Sequence, residues 1–140
     1  MKVLAKLKIP AKLESLEKII NFVSTQAREQ GVSYEKINKL ELGTEEIVVN
    51  IFNYSYPDAP GEVEINSKLD DSNFIIEIID SGIPFDINMV SAPDLTSDIS
   101  DRAVGGVGVF LVKKMVDKID YRRENNQNIL NLTVRKDKDG

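Results

Sequence analysis

The first thirty residues change from one hydrophobic period to another. Between residues 2 and 9 the side chains alternate, with one face predicted to be apolar (Val3, Ala5, Leu7 and Ile9) and the other to carry lysines (Lys2, Lys6 and Lys8). This pattern is typical of a half-buried strand, closed here by Pro10. From Leu13 the apolar positions recur every three or four residues until about Gly31. This part of the chain is therefore predicted to be a strand followed by an amphipathic helix that ends at the glycine.

The rest of the chain continues with both kinds of pattern. The predicted elements are a helix from about Tyr34 to Tyr56, strands over Val63–Leu69 and Phe74–Ile79, a helix from Gly106 to about Lys118, and strands over Ile119–Arg123 and Asn128–Arg135. Between Asp86 and Val104 the apolar rhythm disappears, and a connection of this length is usually functional or mobile. No repeat or linker divides the order, which predicts a single α+β domain over residues 1–140, with one sheet and helices packed on one face.

Composition and charge narrow the possible functions. The 140 residues carry a net charge of −5, with 41% hydrophobic and 29% charged residues, values that are ordinary for a soluble globular domain. An acidic balance argues against nucleic-acid binding, and no stretch is long and apolar enough to span a membrane. The chain has no cysteine and no histidine, so thiol chemistry, imidazole bases and most zinc sites are excluded. Acid–base chemistry is left to carboxylates, lysine and tyrosine, and a cytoplasmic location is expected.

The stretch "EEIVVN", residues 45–50, places Glu46 and Asn50 four positions apart on the second helix. That spacing puts both side chains on one helix face. An amide oxygen suits a hard cation such as Mg²⁺, and a carboxylate beside it can orient or deprotonate a nucleophile. A solvated polar face of an amphipathic helix explains the same spacing.

The stretch "DSGIPFD", residues 80–86, places Asp80 directly after a predicted buried strand. Gly82 and Pro84 then force the chain to turn. A carboxylate at a strand end, beside a closely approaching backbone, can accept a hydrogen bond from the exocyclic amino group of adenine, whereas guanine presents an acceptor there. Aspartate, glycine and proline are also the ordinary residues of a plain turn.

The stretch "GGVGVFLVKK", residues 105–114, opens the third predicted helix with three glycines. It matches the dinucleotide-binding fingerprint only in part, because Leu111 occupies the third glycine position. Each glycine costs roughly 0.5–1 kcal/mol of backbone entropy in an ordered segment, so some gain is expected to offset the cost. A helix N-terminus with closely approachable amides suits a phosphate, and a simple loop hinge is the alternative.

Taken in this order, the three motifs resemble the nucleotide-binding site of the GHKL (histidine-kinase-like) ATPase superfamily. Among its members, the short single-domain form, "DSGIPFD" and "GGVGVFLVKKMVD" most resemble the bacterial anti-sigma factors that are also serine-protein kinases. The resemblance extends over nearly the whole chain. It implies a two-layer α/β sandwich of the Bergerat type, with one mixed, mostly antiparallel sheet and helices on one face.

The same resemblance implies roles for individual residues and a bound Mg·ATP. It makes residues 87–104 the ATP lid. The implied roles are Mg²⁺ binding by Asn50, general base for Glu46, adenine recognition by Asp80, shaping of the base pocket by Gly82, and phosphate binding through the backbone at Gly106 and Gly108.

Two positions depart from the pattern of these relatives. They often carry an arginine directly before the lid glycines, whereas here Arg102 is separated from Gly105 by two residues. Their last strand commonly begins with a threonine near the adenine, and Asn128 is the nearest polar residue here. The resemblance assigns no role to Asn128.

The leading functional hypothesis is an ATP-binding anti-sigma factor that holds a sigma factor inactive and phosphorylates a serine on an anti-anti-sigma antagonist. Such relatives usually work as homodimers, and an edge strand could supply the contact. The alternative is a non-catalytic ATP-binding regulator of the same fold that acts on another target. A two-component kinase domain is disfavoured because no phosphoacceptor histidine exists, and a structural protein would leave all three polar motifs without a use.

Overall fold

The structure, a computed structural model, describes residues 2–56, 59–84 and 112–136. Two short segments supplement the regular elements, a 3-10 turn at Leu13–Ser15 and a π-helical turn at Ile51–Ser55, and residues 112–115 are helical. The elements are β1 (Lys2–Pro10), α1 (Leu16–Glu29), α2 (Tyr34–Asn50), β2 (Glu62–Asp70), β3 (Asn73–Asp80), β4 (Lys118–Glu124) and β5 (Gln127–Arg135).

The five strands form one sheet in the order β1-β2-β3-β5-β4. Every pairing among these strands is antiparallel, so the described sheet is more uniform than the mixed, mostly antiparallel sheet that the sequence predicts. The β4–β5 hairpin closes on Asn125 and Asn126, whose φ angles of 52° and 62° are those of a type I′ turn. This arrangement sets the ends of β3 and β5 side by side, with Asp80 directly opposite Asn128.

The core lies between one face of the sheet and the helices, as the sequence predicts for an α+β sandwich. Helix α1 contributes a stripe of buried side chains, and α2 is capped at its N-terminus by Ser33, whose side chain accepts a hydrogen bond from the backbone N–H of Lys36. The largest fully buried side chains are Phe74, Ile19, Leu40, Ile65, Ile76, Ile78 and Leu132. Among the described residues, no helix is both long and apolar enough to cross a membrane.

Two local predictions are wrong. Val3 does not share the inward face of β1, because the pairing with β2 shifts between Val3 and Ala5 and leaves Val3 56% exposed. The third helix does not reach Lys118, since β4 begins there. The backbone N–H of Asp117 donates to the carbonyl of Thr133, which draws the chain out of the helix and into the sheet.

The face of the sheet opposite the helices carries a buried charge pair. Glu77 is only 5% exposed, and Lys68 Nζ lies 2.7 Å from its Oε2. Asn66 Nδ2 donates to Oε1 of the same carboxylate at 3.0 Å. Burial alone would raise the pKa of Glu77, but the hydrogen bonds from Lys68 and Asn66 and the charge of Lys68 outweigh it and leave the pKa below its usual value.

Replacing Lys68 with methionine should lower the free energy of unfolding at pH 7 by about 2 kcal/mol, because the Glu77 carboxylate loses a charged hydrogen bond while it stays buried. A group whose pKa is lowered by folding stabilises the protein above its unfolded pKa and loses that effect as the pH falls through the folded pKa. The difference between wild type and variant should therefore shrink below about pH 4. Urea unfolding at several pH values measures it.

The matched control is Lys8→Met, because Lys8 is 3.9 Å from Glu62 on the same sheet face and its side chain is 61% exposed. Exposed pairs of this kind contribute about 0–1 kcal/mol. Equal losses in the two variants, or a loss at Lys68 that does not change with pH, would contradict the assigned role of the Lys68–Glu77 pair.

Candidate functional site

A pocket opens where the C-terminal end of α2 and its π-helical turn meet the ends of β3 and β5. The space between its walls, including the part open to solvent, is about 410 Å³. The walls are mostly apolar, and a few polar groups converge on them. The lining residues are Ile47, Asn50, Ile51, Tyr54, Ser55, Ile78, Asp80, Tyr121, Asn128 and Leu130.

Asp80 lies at this pocket with only 4% of its surface exposed. Its Oδ1 accepts hydrogen bonds from the backbone N–H of Gly82 at 2.9 Å and from Asn128 Nδ2 at 3.0 Å. Its Oδ2 makes no hydrogen bond to another described residue. Because Oδ2 is not fully enclosed and has no donor among the described residues, Asp80 is a candidate acceptor for a ligand group.

Gly82 holds the turn after β3 against the end of α2. A Cβ atom at this position would overlap the carbonyl oxygen and the Cβ of Ser55, so only glycine fits. The backbone N–H of Ile83 donates to that same Ser55 carbonyl at 2.9 Å. The π-helical turn, a rare conformation often found at functional sites, ends at this carbonyl. Gly82 thus shapes the pocket through the backbone beside Asp80.

Replacing Gly82 with alanine should cost about 1–3 kcal/mol of stability, because the new methyl group must displace Ser55 or the turn itself. Thermal unfolding of the variant measures the loss. Gly31→Ala is the comparison, because any loss of stability there comes from the backbone angle and not from a close contact. Gly31 has a φ of 78°, but no atom lies within 4 Å of the position that its Cβ would take. An unchanged melting temperature in Gly82→Ala would contradict the tight contact with Ser55.

Tyr56 fixes the other side of the same turn. Its hydroxyl donates to the carbonyl of Glu62 at 2.7 Å and accepts from the backbone N–H of Ser81 at 2.7 Å. Burial raises the pKa of the Tyr56 phenol, and the carboxylate of Asp80 adds to the rise, although the hydrogen bond from Ser81 acts in the opposite direction. The phenol therefore stays protonated at neutral pH and ties the start of β2 to the residue after Asp80.

Glu46 and Asn50 lie one helical turn apart near the end of α2. Asn50 is 8% exposed and lines the pocket, and its Nδ2 donates to the backbone carbonyl of Glu46 at 2.7 Å. The Oδ1 of Asn50 makes no hydrogen bond within the described part of the chain. Glu46 is half-buried and is not among the residues that line the pocket. The structure thus brings Asn50 to Asp80, while Glu46 lies one turn further back along the helix.

Glu45, the other acidic residue of the motif, lies elsewhere. It lines a separate groove between α1 and α2, together with Glu17, Glu41 and Leu42. Neither glutamate lines the pocket at Asp80, so the choice of Glu46 over Glu45, made from the four-residue spacing, stays a prediction. Gly106, Gly108, Arg102 and the lid at 87–104 lie outside the described residues, so their predicted roles stay predictions.

Comparison with protein-family models identifies residues 9–134 as a match to the histidine kinase-like ATPase domain. The chain belongs to this family. The family resemblance and the fold class predicted from the sequence are thereby confirmed.

Curated relatives agree with the family. The chain is 26% identical over 128 residues to the serine-protein kinase RsbW of Bacillus thuringiensis (strain Al Hakam), covering 89% of this chain and 80% of that protein. The RsbW of Bacillus cereus (strain AH820) matches to the same extent. Both relatives are thus similar to the chain over most of its length.

Two solved structures share the fold. The RsbU and RsbW domains of Rv1364c from Mycobacterium tuberculosis align with a TM-score of 0.65 at 16% identity, over 94% of this chain and 32% of that chain, so this chain spans about a third of that longer protein. The SiaB-SiaC complex from Pseudomonas aeruginosa aligns with a TM-score of 0.57 at 9% identity, over 95% of this chain and 90% of that chain. At these identities the likeness shows the fold alone.

Membership of the histidine kinase-like ATPase family implies ATP and a divalent cation, and the residues of the pocket fit both groups. The apolar walls suit a purine ring, and the Oδ2 of Asp80 suits an amino group on it. The Oδ1 of Asn50 is an oxygen donor of the kind that Mg²⁺ prefers. The described residues hold no group of three or more Asp, Glu, His or Cys that could bind a metal alone. A cation here would therefore depend on the phosphates for its other ligands.

Asn128 is a polar residue of the site that has no role in the sequence analysis. Asn128 lies directly opposite Asp80 on the neighbouring strand, is 4% exposed, and lines the pocket. Its position at the start of the last strand is visible in the sequence. The signal that could have found it is the antiparallel pairing of β3 with β5, which places the start of β5 opposite the last residue of β3.

Proposed function

We propose that this chain binds Mg·ATP, holds a sigma factor inactive, and phosphorylates a serine on an anti-anti-sigma antagonist. The observation that carries the proposal is Asp80, a buried carboxylate with one oxygen left for a ligand, at the wall of an apolar pocket beside Asn50. The relatives named serine-protein kinases support the phosphotransfer.

Nucleotide recognition rests on the pocket. The Oδ2 of Asp80 accepts a hydrogen bond from the exocyclic amino group of adenine. The isoleucine and leucine side chains of the walls exclude water from the ring. A guanine would bring a carbonyl oxygen to the same carboxylate, so the site should reject GTP. Selectivity therefore comes from one buried acceptor.

Transfer rests on the face of α2. Mg·ATP, when bound, supplies the phosphoryl group and neutralises its charge. Asn50 offers its Oδ1 to the cation, with its amide fixed by the bond to the Glu46 carbonyl. Glu46, whose carboxylate has no hydrogen bond to another described residue, accepts the proton of the serine hydroxyl. The backbone at Gly106 and Gly108 is proposed to bind the phosphates, and residues 87–104 to form the lid.

Co-expression with the proteins encoded beside it tests this function. Incubation of the purified complex with ATP and Mg²⁺ should place phosphoserine on one partner, as detected by peptide mass spectrometry, and should change which partner remains bound. Binding of ATP without phosphoserine on any co-purified partner would contradict the kinase activity.

Two observations favour a second candidate function, an ATP-binding regulator without catalysis. Glu46 does not line the pocket, and in the sequence Arg102 is separated from Gly105 by two residues. Such a protein would bind Mg·ATP and exchange partners with no transfer. Homodimer formation stays a prediction, and β1 and β4 are the edge strands of the described sheet that could supply the contact. A cytoplasmic location also stays a prediction.

A further inference from the structure

Within the described part of the chain, four side-chain hydrogen bonds link Asn128 to its neighbours at the edge of the pocket. Its Nδ2 donates to Asp80 Oδ1 at 3.0 Å and to the carbonyl of Ile83 at 2.7 Å. Its Oδ1 accepts from the hydroxyl of Tyr121 at 2.6 Å and from Arg123 Nη1 at 3.1 Å. Both hydrogens and both lone pairs of the amide are therefore used.

The neighbours fix which way the amide of Asn128 points. The carbonyl of Ile83 can only accept, so the nitrogen must face it, and Arg123 can only donate, so the oxygen must face that side. The hydroxyl of Tyr121 lies with Arg123 on the oxygen side. No flipped amide satisfies this set of partners.

Arg123 extends the same network to the turn that follows Asp80. Its Nη1 also donates to the carbonyl of Gly82 at 2.7 Å, so the β4–β5 hairpin contacts the turn at both Gly82 and Ile83. The carboxylate of Asp80 is thus fixed from two directions, by the backbone N–H of Gly82 and by Asn128. Both bonds reach Oδ1, and Oδ2 is the oxygen left for a ligand.

Other side chains at position 128 would not do the same. A threonine has one O–H and could donate to Asp80 or to Ile83 but not to both. An aspartate would set a second carboxylate against Asp80 and against the Ile83 carbonyl, which is repulsive in a buried place. Asparagine is the side chain of this size that offers two donors on one side and an acceptor on the other.

We propose that Asn128 is a positioning residue that fixes the Asp80 carboxylate with Oδ2 toward the pocket and thereby sets the preference for adenine over guanine. This inference rests on the proposed ATP binding. Asn128 acts through Asp80, since its own amide is used by protein groups.

The test uses three nucleotides that differ at the exocyclic group: ATP, GTP and purine riboside triphosphate, which lacks the amino group of adenine. In Asn128→Ala, affinity for ATP should fall about tenfold, because the carboxylate loses a fixed orientation. Affinity for purine riboside triphosphate should stay unchanged, so the preference for ATP over that analogue should fall by the same factor. Titration calorimetry measures all three affinities.

Two further variants control for a loss of folding. Asn131→Ala makes the same change on the same strand, at a position that lines the opposite sheet face, and should leave all three affinities unchanged. Tyr121→Phe removes one bond to the amide oxygen while both donors stay, and should reduce the preference for ATP by a smaller factor. Thermal unfolding confirms that each variant is folded.

The outcomes separate the two claims. If Asn128→Ala weakens the binding of all three nucleotides equally, the positioning role is wrong while ATP binding stands. The same conclusion follows if neither Asn128→Ala nor Tyr121→Phe changes the preference for ATP. If the folded wild-type protein binds none of the three, the proposed function is wrong and the positioning role falls with it.

Discussion

Asp80→Asn should weaken ATP binding about 10- to 100-fold, the effect of losing a hydrogen bond to a buried charged group. The asparagine keeps Oδ1 as acceptor for the Gly82 N–H and for Asn128, so the turn stays folded. In place of Oδ2 the asparagine presents an NH₂ group. This group is a donor like the amino group of adenine, so no hydrogen bond forms between the two. ATP binding therefore becomes weaker, while the free energy of unfolding changes little.

The same variant should bind GTP no more weakly than the wild type does, because an NH₂ group can donate to the carbonyl oxygen of guanine. Calorimetric titration of wild type and variant with both nucleotides measures this. Asp71→Asn is the matched control, since Asp71 is exposed in the β2–β3 turn with a φ of 51° that asparagine tolerates. Equal ATP affinity in Asp80→Asn and wild type would show that the base does not bind at Asp80.

Glu46→Gln should keep ATP binding within about twofold of wild type and lower phosphotransfer to the partner by at least about 100-fold, the usual contribution of a general base. ATP binding is spared because Glu46 does not line the pocket, and its backbone carbonyl still accepts from Asn50. Glutamine has nearly the same shape but cannot accept the proton of the serine hydroxyl. Single-turnover transfer of phosphate to the purified partner measures the rate.

Glu45→Gln separates the two neighbouring carboxylates. It makes the same chemical change one residue away, in the groove between α1 and α2, and should leave both ATP binding and the transfer rate unchanged. Equal transfer rates in Glu46→Gln and wild type, with ATP bound in both, would remove Glu46 from the role of base. A loss in Glu45→Gln alone would move that role to Glu45.

The strands and the second helix could be predicted from periodicity because their burial follows simple periods. The predicted bounds of β3 and β5 differ from the structure by one residue at most at each end, and the predicted helix to Tyr56 covers α2 and its π-helical turn. Periodicity fails where a tertiary contact decides the path of the chain. The N–H of Asp117 bonds to Thr133, a residue sixteen positions away (133 minus 117), and nothing local to Asp117 indicates it.

The candidate site was predictable in its residue types and less so in its contacts. Asp80 and Asn50 could be identified because turn and helix motifs carry local signals, and the pocket brings them together. Asn128 could not be assigned, since the hydrogen-bond partners that the structure describes for it come from separate segments of the chain. Gly82 is predicted from the sequence to shape the pocket, but its actual neighbour, Ser55, lies 27 residues away (82 minus 55) and only the folded chain shows it.

The central claim is that this member of the histidine kinase-like ATPase family binds adenine nucleotide in the pocket at Asp80. Calorimetric titration of the wild-type protein with ATP and with GTP, each in the presence of Mg²⁺, tests it most directly. Saturable binding of ATP, with GTP at least about tenfold weaker, is the predicted result. No heat with either nucleotide, in protein shown to be folded and free of carried-over ligand, would contradict the claim.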